Sequence, residues 1–515
     1  MVGLSKGSWH IFPIGVLSWL GDAKMDYFSS IISGFQIIVE PGNFLYCFAG
    51  VLLGTMIGVL PGIGPSGTIC ILLPLSFKIS PVSSIIFLSG IYYGAMYGGS
   101  TTSILVKVPG EAASVITCLD GYEMAKKGRA GPALGIAAFG SFIAGTFSVL
   151  GLMLLSYPLS KFALAFGPPE YASLIVLGMT LILYLSQKSM LKSLVTGIFG
   201  FMLSFVGMDT MTGQARYTFG IPYLADGLGI LPVVMGLFGV AEVFRNLYVG
   251  DKLRVMKTKF WSLFPTREDW KDSFMPIARG SILGFIVGII PGGSAVLASF
   301  SSYAMEKRLS KSPERFGHGA IEGVAGPEAA NNAAFGGGLV PLFALGIPPT
   351  VVQALLFAAL MIQGIQPGPF LITEHPDVFW GLVASMYLGN AMLLIINLPL
   401  IGIWVQLLRI PNWALLPFIL LFCFIGVYSI NYSLFDVGIM LLFGVLGYLM
   451  DEFEYELPPL VLAFVLGPIF EDSFRQSLRL SEGNLSVFFT RPLSAGLLVL
   501  AGIIICSHFV FKRKR

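Results

Sequence analysis

Apolar positions fill this chain in long blocks, and polar positions fall mainly between the blocks. Charge-free runs extend over residues 378–408, 410–435 and 492–511. Each run reaches the roughly 20 residues that a helix needs to span the hydrocarbon core of a bilayer. The runs are continuous and not alternating, which indicates membrane helices and argues against the strands of a membrane barrel. We predict an all-α polytopic membrane protein with about ten to twelve transmembrane helices plus half-helices or hairpins.

Two landmarks occur in both halves of the chain, in the same order. The pattern G-x-x-x-G-x-x-P-G occupies residues 54–62 and again residues 284–292, which lie 230 residues apart. Within 98–109 and within 337–348, a Gly-Gly pair precedes a proline by the same spacing. Matched, Pro/Gly-interrupted apolar segments in two halves are typical of transporters built from structural repeats with broken helices. The sequence does not distinguish an inverted repeat from a parallel one.

The repeats and the basic residues divide the chain into segments. We predict an N-terminal extension at 1–24 outside the fold, a first transmembrane repeat at 25–250, a polar cytoplasmic linker at 251–275 and a second transmembrane repeat at 276–515. Met25 is then an alternative start. Lysine and arginine are frequent in the linker, and the chain ends Lys-Arg-Lys-Arg. Because basic loops and tails tend to stay in the cytoplasm, we expect the linker and the C-terminus there.

The repeated pattern predicts two separate tasks. Its glycines lie four residues apart on one helix face, where small residues let helices approach closely in lipid. Its Pro-Gly step ends the helix, and a break at membrane depth is tolerated only where it lines protein or a watery cavity. A new half-helix then begins with free amides, which bind anions. An ordinary proline kink is the open alternative. The predicted substrate-binding residues are Pro61, Gly62, Ser66, Gly67, Thr68, Pro291, Gly292, Gly293, Ser294, Asn331 and Asn332.

Polar residues inside apolar sequence indicate function by default, because they are costly in lipid. Glu328 and its asparagine neighbours follow the second break, and hydroxyl residues at 97–103 follow the first. We predict that a coupling ion is held by these groups together with unwound carbonyls near Gly336–Gly338. The predicted coupling-ion residues are Ser100, Thr101, Asn332 and Gly337. Lys107, Glu111 and Asp120 are as consistent with a solvated loop as with a functional role.

Several other chemistries find no support in the sequence. The five cysteines contain no C-x-x-C pair and are interpreted as packing residues. His318 and Glu322 stand four apart, but two ligands make a poor zinc site. The G-x-G-x-x-G at 62–67 has membrane-like flanks and an internal proline, and the chain has no P-loop lysine motif. We therefore expect no cofactor and no metal, and energy from an ion gradient or another subunit.

Two further function classes stay open at this point. A membrane-embedded enzyme acting on a small anionic or lipid-linked substrate would use Glu328 or His318 as its acid or base. The four histidines are scattered without catalytic spacing, which disfavours this class. A channel would need a ring of similar filter segments from several subunits. Two distinct halves fit alternating access better, so a transporter that is not an enzyme is our preferred interpretation.

The longer motifs resemble the large membrane subunit of the tripartite tricarboxylate transporters, the TctA family. They lie at 58–65 (GVLPGIGP), 90–100 (GIYYGAMYGGS), 108–111 (VPGE), 119–122 (LDGY), 319–325 (GAIEGVA), 327–333 (PEAANNA) and 364–369 (GIQPGP). The resemblance implies a secondary transporter of the bacterial inner membrane that imports organic carboxylates such as citrate, driven by Na⁺ or H⁺. It also implies two partners, a small membrane subunit and a periplasmic solute-binding protein that delivers the substrate. Residues 1–24 depart from the family pattern.

Overall fold

The fold is built almost entirely of helices. The computed structural model describes residues 27–60, 64–186, 188–209, 211–246, 260–407 and 412–512. In its first part, the helices are α1 (Tyr27–Val39), α2 (Pro41–Gly58), α3 (Gly64–Ser76), α4 (Pro81–Val106), α5 (Thr117–Lys126), α6 (Ala130–Ala163), α7 (Pro168–Tyr184), α8 (Met190–Ser204), α9 (Ile230–Val234) and α10 (Ala241–Asn246). A π-helical stretch at Met235–Val240 joins α9 to α10. Strands β1 (Gly207–Met208) and β2 (Ala215–Arg216) pair antiparallel in a short hairpin.

The second part repeats the order of a long helix, a break, a shorter helix and another long helix. Its helices are α11 (Arg267–Ile289), α12 (Ala295–Leu309), α13 (Glu322–Leu345), α14 (Val351–Ile362), α15 (Leu371–Glu374), α16 (Pro376–Asn397), α17 (Ile401–Leu407), α18 (Asn412–Asn431), α19 (Leu434–Glu452), α20 (Leu457–Leu480), α21 (Val487–Thr490) and α22 (Pro492–Lys512). Helix α11 begins inside the segment 251–275 that the sequence suggests as a linker. The predicted extension at 1–24 and residues 251–259 lie outside the described ranges.

The long apolar helices make this a multi-pass membrane protein. Within the described ranges, α2, α6, α11, α16, α19 and α20 are long and apolar enough to cross a bilayer, and there are seven further apolar helical stretches of 10–17 residues. Several apolar blocks of the sequence are thus divided into shorter helices, as the Pro/Gly breaks predict. The structure confirms the all-α polytopic class.

The repeated glycines are contact points between helices, as predicted. Helix α2 packs along α4, and α11 packs along α13. A Cβ atom added to Gly54 would lie closer than 3.0 Å to the α4 backbone at Ile91, and one added to Gly284 would meet the α13 backbone at Ala330 in the same way. Only glycine allows this separation of the two backbones. The same packing of a broken helix on a long helix therefore occurs once in each half.

Helices α4 and α13 form the centre of the molecule. Every residue of α4 from Ser83 to Val106, and every residue of α13 from Gly323 to Ala344, is buried. The two helices meet where the rings of Tyr92 and Phe335 stack with their centroids 4.1 Å apart. The polar residues that the sequence singles out at 97–103 and 328–332 thus lie deep in the protein, away from lipid.

One buried carboxylate ties the first half to the second. Asp120 of α5 accepts hydrogen bonds from the backbone amides of Gly317, Gly319 and Ala320 at 2.7–2.9 Å, and from the Tyr303 hydroxyl at 2.9 Å. These four donors satisfy a carboxylate that has no solvent exposure. Asp120 therefore holds the loop before α13 in place and is neither solvated nor open to a ligand.

Candidate functional site

The two helix breaks open on one cavity, which we call the shared cavity. It has a volume of about 430 Å³. From the first break, Gly64–Gly67 line the wall, and from the second break, Gly292–Ala295 do so. Predicted residues Pro61 and Gly62 lie outside the described ranges. Segments separated by more than 200 residues in sequence thus line one cavity, and its use as a binding site stays a prediction.

Backbone hydrogen bonds fix the conformation of the second break. Gly292 has a φ of +81°, a conformation that favours glycine. Its amide donates to the Pro349 carbonyl at 2.9 Å, and the Gly293 amide donates to the Ile290 carbonyl at 2.7 Å. Both amides are therefore already paired, so Gly292 and Gly293 shape the cavity wall and do not serve as ligand donors. Pro291 does not line the cavity and packs 3.7 Å from a Cβ built on Gly178.

Helix starts supply the free donors of the shared cavity. Ser294 caps α12, and its hydroxyl oxygen accepts the Leu297 amide at 3.2 Å while the hydroxyl hydrogen stays available. The amides of Ala295 and Val296 belong to the first turn, where a helix has no internal acceptor for them. Ser66 and Gly67 are the third and fourth residues of α3 and line the cavity from its first turn. Thr68 does not line the cavity, because it is buried and its hydroxyl donates to the Gly64 carbonyl at 2.7 Å.

A third helix start, which the sequence analysis missed, also lines the cavity. Thr350 precedes α14 and lies in the wall together with Val351, Val352 and Gln353. The sequence does indicate this helix start, since Pro-Pro-Thr before an apolar run is typical of the beginning of a helix. The repeat pairs Thr350 with Glu111: each stands two residues after the landmark proline of its half. Glu111 lines the cavity as well.

Four charged side chains contribute to the wall: Glu111, Lys188, Glu242 and Glu456. Glu242 has a cationic partner, because Arg245 donates to its carboxylate at 2.6 Å. Glu456 accepts the Lys188 amide at 2.6 Å. Glu111 differs from both, since its Oε1 atom is buried without a hydrogen-bond partner among the described residues.

A second polar group, which we call the Glu328 cluster, lies between α4, α5 and α13. The Ser100 hydroxyl donates to Oε2 of Glu328 at 2.6 Å, the Thr117 hydroxyl donates to Oε1, and the Asn331 amide donates to Oε2 at 3.4 Å. Asn332 donates to Ser141 at 2.8 Å in the same region. The structure thus places Ser100 and Asn331 at a fully buried carboxylate, with Asn332 bonded to Asn331 and to the Glu328 backbone carbonyl. None of the three lines the shared cavity.

Two other predicted ion-site residues have packing roles. The Thr101 hydroxyl donates to the Tyr97 carbonyl at 3.3 Å within α4. A Cβ on Gly337 would collide with the Phe285 backbone of α11. The expectation of unwound carbonyls near Gly336–Gly338 is wrong, because α13 runs without interruption through these residues. Their small size allows close packing and does not break the helix.

The two candidates of the enzyme alternative lie in different places. His318 lines a separate pocket together with Lys127, Arg129 and Arg315, while Glu328 is buried in its cluster. Within the described ranges, no three His, Cys, Asp or Glu side chains come together in a way that could hold a metal ion. The two alternative candidates therefore lie in different environments, His318 beside basic residues and Glu328 inside the protein.

Comparison with known proteins agrees with the motifs. Residues 44–462 match the Tripartite tricarboxylate transporter TctA family. The uncharacterized 52.8 kDa protein in the TAR-I ttuC' 3' region of Agrobacterium vitis is 51% identical over 493 residues, covering 95% of this chain and 98% of the relative. The uncharacterized protein in the TAR-II ttuC' 3' region of the same organism is 52% identical over 217 residues, covering 42% of this chain and 90% of the relative.

An archaeal relative is more distant. An uncharacterized protein of Methanocaldococcus jannaschii is 26% identical over 260 residues, covering 48% of this chain and 62% of the relative. No solved structure matches the chain. The family match covers most of the protein, including both helix breaks and both long central helices. The chain therefore belongs to the tripartite tricarboxylate transporter TctA family, a family of membrane transporter subunits.

Proposed function

We propose that this subunit imports organic dicarboxylates or tricarboxylates across the bacterial inner membrane and binds them in the shared cavity. The observation that carries the proposal is the convergence of three helix starts, those of α3, α12 and α14, on one cavity. Unpaired first-turn amides and the positive ends of helix dipoles favour anions. Three such ends around about 430 Å³ suit a small molecule with more than one carboxylate.

The repeated architecture suggests how the cavity changes sides. Each half contributes a broken helix packed on a long helix, namely α2 on α4 and α11 on α13. Rocking of one such unit against the other around a fixed site is the usual form of alternating access in repeat-built transporters. An ion gradient drives the cycle. Ser100 and Asn331 support it by holding the Glu328 carboxylate at membrane depth, where an unpaired charge is costly.

The partners follow from the family's tripartite organisation. We infer a small membrane subunit and a periplasmic solute-binding protein, which hands the carboxylate to the outward-open cavity. The C-terminus faces the cytoplasm, because the final four residues are all basic. Substrate choice is then shared between the binding protein and the donors of the cavity wall.

Uptake by cells that lack this gene tests the proposal. Uptake of radiolabelled citrate, succinate and L-tartrate is compared between the deletion strain, the strain with the gene restored, and a strain carrying the inert variant Gly438→Ala. A Cβ at Gly438 has nothing within 4 Å, so this variant controls for expression. We expect at least one carboxylate to accumulate only when the gene is present, and an ionophore to abolish that accumulation. Unchanged uptake of all three in the deletion strain would contradict the proposal, and conversion without accumulation would favour the enzyme alternative.

A further inference from the structure

Glu111 is an unusual carboxylate for the wall of an anion site. It follows Pro109-Gly110, at the end of the first long helix, and its side chain is 9% exposed. It lines the shared cavity, and its Oε1 atom has no hydrogen-bond partner among the described residues. A buried carboxylate with an unpartnered oxygen is costly while it carries its charge. The group therefore has a physical reason to be neutralised during the cycle.

The groups that face Glu111 do not neutralise it. Glu328 of α13 and Tyr92 of α4 are the ionisable side chains that interact with it electrostatically, and neither carries positive charge. Lys188, the basic residue of the cavity wall, forms an ion pair with Asp451 at 3.5 Å. The surrounding charge thus raises the cost of an ionised Glu111 and does not offset it.

The helices packed on the Glu111 turn carry basic residues, but among the described residues none of them forms an ion pair with Glu111. Lys126 of α5 pairs with Glu123 at 2.7 Å, and Lys107, which follows α4, lies over the Tyr122 ring. Helix α12 brings Glu306, which pairs with Arg279, and Tyr303, which donates to Asp120. Helix α5 brings Asp120, whose acceptors are filled by backbone amides and by that hydroxyl. Each of these groups is already paired with something other than Glu111.

The repeat makes the two sides of the cavity chemically different at equivalent positions. Thr350 is a neutral residue at the N-terminal end of α14, and its hydroxyl donates to Gln353, so the first-turn amides of α14 are the groups that suit a substrate carboxylate. The equivalent residue of the first half is Glu111, which suits a cation. An anionic substrate and an ionised Glu111 would share one cavity of low polarity, where like charges repel strongly.

We propose that Glu111 is the proton-coupling group of this transporter and must be protonated before a carboxylate binds in the shared cavity. A proton moves from periplasmic water to a carboxylate oxygen of Glu111, and the substrate anion then binds beside the neutral acid. After the cavity has opened inward, the substrate leaves and the O–H bond of Glu111 gives its proton to cytoplasmic water. No other bond changes. This inference rests on the proposed function, since it requires that the cavity binds carboxylates.

The pH dependence of binding by the purified full chain in nanodiscs tests the inference. The dissociation constants of citrate, succinate and L-tartrate are measured from pH 6 to pH 9 without Na⁺. Above about pH 8 these ligands are almost fully ionised, so a fall in affinity there reports a proton on the protein. We expect the wild-type affinity to fall with rising pH, approaching tenfold per pH unit at the alkaline end. We expect the affinity of Glu111→Gln to stay flat.

A second carboxylate of the cavity wall provides the control. Glu242→Gln removes a carboxylate that already has Arg245 as its partner. The affinity of this variant for the ligands should therefore still fall as the pH rises, as it does in the wild type. An equal fall in Glu111→Gln overturns the inference. So does a flat wild-type profile, or wild-type binding that requires Na⁺, and neither of these readouts needs the variant to fold. If the folded wild-type chain binds none of the three probes at any pH, with or without Na⁺, the proposed function fails as well.

Discussion

Replacing Gly54 and Gly284 by valine together is expected to abolish the folded transporter. Each added side chain would enter the space of a neighbouring helix backbone, at Ile91 of α4 and at Ala330 of α13. Backbone cannot move aside as a flexible side chain does, so each substitution should cost about 3 kcal/mol or more. Fluorescence-detected gel filtration of the detergent extract measures the result, with loss of the monodisperse peak as the expected outcome.

Glycines with open space around them serve as the matched control for this prediction. Gly438 of α19 and Gly402 of α17 are also within helices, but a Cβ on either has nothing within 4 Å. The double variant Gly438→Val and Gly402→Val should therefore give a peak like that of the wild type. If the Gly54/Gly284 variant were as monodisperse and as heat-stable as this control, the close packing of the two repeats would be wrong.

Placing an aspartate at Ser294 is expected to weaken carboxylate binding by roughly 100-fold or more. Aspartate is as good a helix cap as serine, so α12 should keep its start. The new charge would stand in the shared cavity among the first-turn amides that we assign to the substrate. Like charges in a desolvated site cost several kcal/mol, which is the reason for the large effect. Equilibrium binding of radiolabelled substrate to the purified variant measures it.

Two variants separate the charge from the cap. Ser294→Asn also caps a helix but adds no charge, and its affinity should stay within about tenfold of the wild type. Ser433→Asp adds the same charge at the start of α19, where the Ser433 hydroxyl accepts the Asp436 amide at 3.2 Å and the residue does not line the cavity. It should bind like the wild type. Normal affinity in Ser294→Asp would remove the start of α12 from the binding site.

The sequence predicted those features that depend on a local rule. Continuous apolar runs gave the membrane class, and Pro-Gly after spaced glycines located both helix breaks. The predicted packing role of the spaced glycines is confirmed at Gly54 and Gly284, which hold helices close together. The starts of α3 and α12 also lie where the breaks predict, in the wall of one cavity. Glycine and proline act through the backbone, so their effects could be inferred without the tertiary structure.

The features that could not be predicted depend on the direction in which a side chain points and on contacts with residues far away in the chain. Asn331 and Asn332 are close in sequence to the second break, yet their position on α13 turns them to Ser141 and Glu328. Glu111 was as consistent with a solvated loop, since its burial depends on α12 and α13, which follow much later in the chain. No single-sequence pattern states which face of a fully buried helix meets a cavity.

Protection of two engineered cysteines by one substrate tests the central claim that both helix breaks line a single carboxylate site. Among the described residues, Cys506 is the exposed cysteine and the other four are buried. A Cys506→Ser parent protein should therefore react little with the labelling reagent. Ser66→Cys and Ser294→Cys are labelled separately with a charged thiosulfonate, and Ser486→Cys, which is exposed and outside the cavity wall, is the control. We predict that a saturating carboxylate slows labelling at both cavity positions by about tenfold or more, as occupancy requires, and leaves Ser486→Cys unchanged. Protection of neither cavity position, or of only one, by a carboxylate that binds the protein would contradict the account.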